Sequence, residues 1–266
     1  MKTIVIVSVK GGVGKTTVSV GLAKALQRAG HRVGLLDLDY RSPSVPLALG
    51  ADPEDRKLDL RHGETALGDA LIPPEIGGMP VFSMAFIWPA GQAVMVEDDA
   101  AAEDVRQVLD GTIAWPDGLE YLVVDTPPTS SGIVMTALKV GGEVGALVVT
   151  IPGALSAAAA ARTVDLLTET GVPLYGGVIN MVADERLREP DRPFMAHWPF
   201  TVQLQDTRLS AGVGNNDKGF DTLAHFVLST TPVVLTVKPP EEATWNRLVA
   251  ALRRDKAKQA SKSSTS

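Results

Sequence analysis

Lys10-Gly11-Gly12-Val13-Gly14-Lys15-Thr16-Thr17 is the stretch on which the fold turns. An apolar, β-branched run, TIVIVSV over residues 3–9, leads into it. Behind it, TTVSVGLAKALQRA places Val18, Leu22, Ala25, Leu26 and Ala29 at helical spacing before Gly30. The first pattern predicts a strand buried on both faces, the second an amphipathic helix stopped by glycine. Glycines between the two let the backbone turn tightly and bring its N–H groups up to an anion, and the helix N-terminus adds partial positive charge. In such a cradle Lys15 reaches the β- and γ-phosphates of ATP and the Thr16 hydroxyl serves Mg²⁺. The stretch departs from the common GxxxxGK(S/T) pattern, because Val9 stands where the first glycine falls and Lys10 adds a second lysine.

Working outward, apolar runs predict further strands at residues 32–38, 79–84, 121–125, 144–151 and 174–180, with helices at 101–109 and 156–170. Strand–helix alternation of this kind means an α/β fold, a doubly wound, mainly parallel sheet with helices on both faces. The segment 190–237 carries the least pattern, and a strand at 232–237 and a helix at 241–254 are expected to close it. Trp245, Leu248, Val249 and Leu252 share one face of that helix. Packing on the sheet is the favoured reading of this face, although the flanking Arg247, Arg253 and Arg254 also suit a membrane surface. One domain over 1–254 and a disordered tail over 255–266 are expected.

Composition narrows the function. The net charge of −6 argues against nucleic acid as the main ligand, since neutralising phosphates needs a basic surface. The 266 residues contain no cysteine, which excludes disulfides within this sequence and any zinc or iron–sulfur site held by its own thiolates. No signal peptide or membrane-spanning run is read, so a cytoplasmic protein is expected. His31, His62, His197 and His225 are dispersed without metal-ligand spacing.

The KGGVGKTT segment resembles the deviant Walker A ATPases, the group that includes MinD, ParA, the nitrogenase iron protein and the Mrp/ApbC-type iron–sulfur carriers. The resemblance implies ATP hydrolysis and an ATP-dependent homodimer in which Lys10 reaches the partner's nucleotide. It makes Asp39, in the DLD that ends the second strand, the switch I acid that positions water near Mg²⁺. Asp125, closing YLVVD ahead of Thr126-Pro127-Pro128, matches the acid that holds Mg²⁺ through water. Asn180, in GGVIN, falls where the group has an adenine-binding asparagine. DLDYRSPSVPLALG, MPVFSMAFIW, LEYLVVDTPP and GGVINM are most similar to the Mrp/ApbC branch, over about residues 2–181. The chain departs from that branch at Ser42, at PPTSSG, and in the acidic run around Glu97, Asp98 and Asp99. After Asn180 it reads VADERLREPDRPFMAHW where the branch carries paired cysteines.

These readings converge on an Mg·ATPase switch that dimerises around ATP, binds ATP and ADP, and acts on an unidentified protein partner without its own iron–sulfur cluster. A positioning ATPase of the MinD/ParA kind, cycling on membrane, nucleoid or a cellular cargo, is the alternative. Nucleic acid and membrane are the less favoured partners. Two segments invite a docking role if exposed: Phe86, Ile87 and Trp88, and the acidic run 97–104.

Overall fold

The computed structural model describes residues 1–8, 10–52, 61–65, 68–86, 103, 105–106, 109, 113–128, 131–139, 142–182, 201–205 and 217–235. Met1–Leu235 forms one compact unit. The expected helices at 101–109 and 241–254, Ile87, Trp88, the acidic run and the tail fall mostly or wholly outside the described residues.

In chain order the elements are β1 (Lys2–Val7), α1 (Lys15–Arg28), β2 (Val33–Asp37), the short α2 (Val45–Ala48), β3 (Arg61–Thr65), β4 (Gly68–Ile72), β5 (Glu75–Ile76) and β6 (Met79–Ser83). A 3-10 turn (Met84–Phe86), β7 (Tyr121–Asp125), α3 (Ser131–Lys139), β8 (Glu143–Thr150), α4 (Ala154–Glu169), β9 (Leu174–Val182), β10 (Thr201–Gln205) and α5 (Asp217–Ser229) follow. Eight strands form one sheet in the order β10-β9-β8-β1-β7-β2-β6-β5, while β3 and β4 form a separate antiparallel pair. Every pairing in the large sheet is parallel except that of the edge strand β5 with β6. The doubly wound, mainly parallel fold expected from the alternation is therefore the observed one.

Alternation along the strands explains why both faces are covered. Ile4 and Ile6 of β1, Leu35 of β2 and Val123 of β7 join Val18, Leu22 and Leu26 of α1 and Phe220, Leu223 and Val227 of α5 in one core cluster. Their neighbours Val5, Val7, Leu36 and Val124 face the other way, onto Ile133 and Ala137 of α3 and Ala160 and Leu167 of α4. The central strands β1, β2, β7 and β8 are apolar on both sides because each side meets a helix layer. Phe86 is buried in the first cluster, so it is core and not a docking residue.

Helices α1 and α5 approach closely because α1 carries glycine where they touch. A Cβ on Gly21 would stand 2.2 Å from Cε1 of Phe220, whose ring is 2 % exposed and hemmed in. Gly21→Ala should therefore destabilise despite alanine's advantage of about 1 kcal/mol in a helix. Overpacking of roughly 1–3 kcal/mol is the larger effect where a ring cannot move aside. Thermal unfolding should show a lower midpoint, and an unchanged or raised one would mean that the ring yields.

Three expectations need correction. The strand expected at 232–237 is, over its described part, a single antiparallel bridge between Val233 and Leu174. The sequence reading also passed over the β3–β4 pair, β5, β10, α3 and α5, although Phe220, Leu223, Ala224 and Val227 carry helical spacing. Finally, β1 stops at Val7, short of the loop.

Strand order reverses around β1, whose neighbours are β7 on one side and β8 on the other. Such a point opens a crevice at the carboxyl ends of the strands, the usual ligand position in these sheets. Register then sets one row of polar groups there: Ile6 lies beside Asp125, Asp125 beside Asp37, and Asp37 beside Ser83.

Candidate functional site

The loop from Lys10 to Gly14 follows β1 at that end of the sheet and runs directly into α1. Gly12 and Gly14 have φ of 75° and 85°, left-handed values that a side chain resists. Gly14 caps α1, and among the described residues no side chain caps the helix, whose N-terminus therefore points its first-turn N–H groups out of the helix. Gly11 and Gly12 are exposed, Val13 is buried as the loop's anchor in the core, and Thr17 is buried one residue beyond Thr16.

The Lys15 side chain is 7 % exposed, with Nζ donating to Ser8 Oγ at 3.3 Å. Burial lowers its ammonium below the ordinary lysine range, while Asp125 and Asp39 pull it back up. Ser8 in turn donates to the Lys10 carbonyl at 2.8 Å, which ties the loop to the end of β1. Lys10 takes no part in this cradle; it is exposed, and its Nζ donates to Ser156 Oγ of α4 at 3.4 Å.

Thr16 and Asp125 meet directly. Thr16 Oγ1 donates to Asp125 Oδ2 at 2.7 Å, and Ser19, one turn further along α1, donates to Asp125 Oδ1 at 2.9 Å. Ser44 Oγ approaches Thr16 Oγ1 at 3.3 Å. Burial raises the Asp125 carboxyl, opposed by the two hydroxyl donors and by the Lys15 charge. Two hydroxyls and one carboxylate gathered at a strand end make a hard-oxygen site of the kind Mg²⁺ uses together with phosphates and water, and the Lys15 cation beside them suits the phosphates. Among the described residues no three His, Cys, Asp or Glu side chains gather into a protein-only metal cage.

Asp39 sits on the loop after β2, and its Oδ1 accepts the N–H groups of Arg41 and Ser42 at 3.1 and 3.0 Å. The structure thus brings Thr16 and Asp125 together and holds Asp39 on an adjacent loop. Asn180 is fully buried, and its Nδ2 donates to the Val13 carbonyl at 3.0 Å. Among the described residues its Oδ1 has no hydrogen-bond partner. The next residue, Met181, is held at φ 58°. A Cβ on Gly14 would lie 2.3 Å from Asn180 Nδ2, so glycine is required for this contact as well as for the turn.

Sequence reasoning missed the serines at positions 8, 19, 44, 83 and 156, and it left Asp37 without a role. Isolated serines carry no pattern of their own; Ser19 is visible only as the residue one turn beyond Thr16 on α1. Asp37 is fully buried next to Asp125. Burial and the Asp125 charge raise its carboxyl, against the backbone N–H groups of Val45 and Asp39 and the Ser83 hydroxyl.

Comparison with known proteins bears on the family and the fold. A protein named iron–sulfur cluster carrier protein from Deinococcus radiodurans is 37 % identical over 188 residues, covering 68 % of this chain and 49 % of that protein. The cytosolic Fe-S cluster assembly factor Nubp2 homolog of Anopheles gambiae is 37 % identical over 182 residues, covering 67 % of this chain and 68 % of its own. Among solved structures, the septum site-determining protein MinD of Pyrococcus horikoshii, complexed with Mg-ADP, superposes with a TM-score of 0.57 at 19 % identity. That superposition covers 86 % of this chain and 90 % of MinD, and it bears on the fold alone. The chain spans about half the length of the bacterial carrier it matches. Residues 1–188 match the ParA group described as NUBPL iron-transfer P-loop NTPase, and the chain belongs to that family.

Proposed function

We propose that the protein is an Mg²⁺-dependent ATPase switch that dimerises around ATP and changes the conformation of a protein partner in the cytoplasm. The reading rests most on one observation, the hydroxyl–carboxylate contact of Thr16 with Asp125 beside the buried Lys15 amine. The reaction is ATP and water to ADP and phosphate. Backbone N–H groups of residues 11–17 bind the phosphates, Lys15 holds the β- and γ-phosphates, and Asn180 Oδ1 is the orphan acceptor for the adenine amino group. Thr16, Asp125 and Asp39 are the residues that would hold Mg²⁺, directly or through water. When bound, Mg²⁺ neutralises charge on the phosphate oxygens. Asp39 orients the attacking water, and Lys10 extends to the nucleotide of the second subunit. The γ-phosphate orders the segments after Asp39 and Asp125, and its loss releases them.

The relatives named for iron–sulfur assembly suggest the partner's field. With no thiolate in this sequence to hold a cluster, the protein serves as an accessory or maturation factor and not as the carrier. The test combines phosphate release with ATP or GTP and light-scattering mass with and without Mg·ATP. ATP-selective turnover with a doubled mass supports the reading; neither activity nor dimer sinks it. Asp39→Ala, which should trap ATP, then serves to capture the partner. An apo-metalloprotein bound only with ATP supports the accessory role, and ATP-dependent DNA or lipid would favour a positioning ATPase.

A further inference from the structure

The Asp37 carboxylate collects donors from three places. Its Oδ2 accepts the N–H groups of Ser44 and Val45, both at 3.1 Å, and the Ser83 hydroxyl at 2.9 Å. Its Oδ1 accepts the N–H of Asp39 at 3.1 Å. One buried side chain therefore fixes both ends of the loop from Asp39 to Val45 and ties it to the end of β6. Within the loop, Asp39 Oδ1 holds the N–H groups of Arg41 and Ser42. Ser44 then brings its hydroxyl to Thr16 Oγ1.

A second buried acid next to Asp125 is costly, because each carboxylate disfavours charge on the other and neither has solvent around it. Anchoring a loop needs no charge; a neutral amide or hydroxyl would serve a purely structural turn. What a carboxylate adds here is acceptor capacity on both oxygens at once: three donors on one and the Asp39 N–H on the other.

We infer that Asp37 is a positioning residue for hydrolysis, holding Asp39 and Ser44 in place against Thr16 and Asp125. The inference rests on the ATPase reading above. Asparagine at position 37 separates positioning from mere structure. Its amide oxygen can keep the three donors of Ser44, Val45 and Ser83, which leaves its NH₂ facing the Asp39 N–H, donor against donor. Asp39 is then released while the rest of the loop stays anchored.

The experiment measures kcat, ATP affinity and melting for the wild type, Asp37→Asn, Asp39→Asn and the double variant. For Asp37→Asn we expect kcat lower by roughly tenfold to a hundredfold, the scale of a misplaced reacting group. ATP affinity should stay within about threefold, because the interaction lost acts on the transition state. In the Asp39→Asn background, Asp37→Asn should cost little more, since both changes disable the same group. Independent, additive losses in rate and affinity would make Asp37 a structural residue and overturn the inference, as would a full rate for Asp37→Asn. If Asp37→Asn fails to fold, Ser83→Ala removes a single donor. It should lower kcat by about twofold or more with affinity kept, and a full rate there overturns the inference. A wild-type chain that releases no phosphate overturns the ATPase reading and this one together; active wild type with unimpaired variants overturns this one alone.

Discussion

Lys15→Ala is expected to abolish measurable ATP binding while leaving the protein folded. The amine sits 7 % exposed at the mouth of α1, beside Asp125 and within reach of Ser8, and among residues 11–17 Lys15 is the single lysine or arginine. Truncating one member of a buried, hydrogen-bonded charge pair costs about 2–5 kcal/mol. At 1.4 kcal/mol per factor of ten, that corresponds to roughly thirty- to several-thousand-fold weaker binding. Folding depends little on this group, because α1 is held through Val18, Leu22 and Leu26, which face the sheet and α5. Titration calorimetry with Mg·ATP, next to a thermal melt, checks both halves. Normal affinity in a folded Lys15→Ala protein would remove the nucleotide from this site altogether.

The legible parts of this site are those whose chemistry is local. The glycine turn, Lys15 and Thr16 lie within eight residues and follow a strand, so spacing alone gives strand, loop and helix in order. Asp125 is legible because an apolar run ends on it, and strand pairing then carries it to Thr16 across 109 residues of sequence. The row Asp125, Asp37, Ser83 is not legible, because it exists only once β7, β2 and β6 lie side by side in register. Nothing in DLD says which aspartate turns inward. In the structure Asp37, the last residue of β2, is fully buried among donors, and Asp39 lies outside the strand on the loop. The same holds for Asn180. The family resemblance supplies a base-binding role, whereas only the fold reveals that its NH₂ gives one N–H to the Val13 carbonyl while its Oδ1 has no partner among the described residues. On the fold level, α5 escaped the sequence reading for a related reason. Its apolar face is short, and its meaning comes from Gly21 on α1, almost two hundred residues away.

Lys10→Ala should separate binding from turnover. Lys10 is exposed, and the contact its amine makes is one hydrogen bond of 3.4 Å to the Ser156 hydroxyl, outside the cradle that Lys15 completes. A monomer lacking this amine keeps Lys15, Thr16 and Asp125 unchanged, so ATP affinity measured at low protein concentration should stay within about threefold of the wild type. Hydrolysis is a different matter. A cation delivered from a neighbouring subunit to the transferring phosphoryl group is worth about 10³–10⁵ in rate in enzymes that use one. The amine is a point charge on a flexible stem and not a bidentate guanidinium, so we place the loss at the low end, roughly a thousandfold. Lys10→Arg should restore only part of the rate, because the larger planar head must also leave Ser156 and pass between the subunits. Light scattering supplies the second readout: the ATP-dependent rise in mass expected of the wild type should be weakened or lost. A Lys10→Ala protein that dimerises on Mg·ATP and releases phosphate at the wild-type rate would confine catalysis to a single subunit. In that case Lys10 would be no more than the residue that ties the loop to α4 through Ser156.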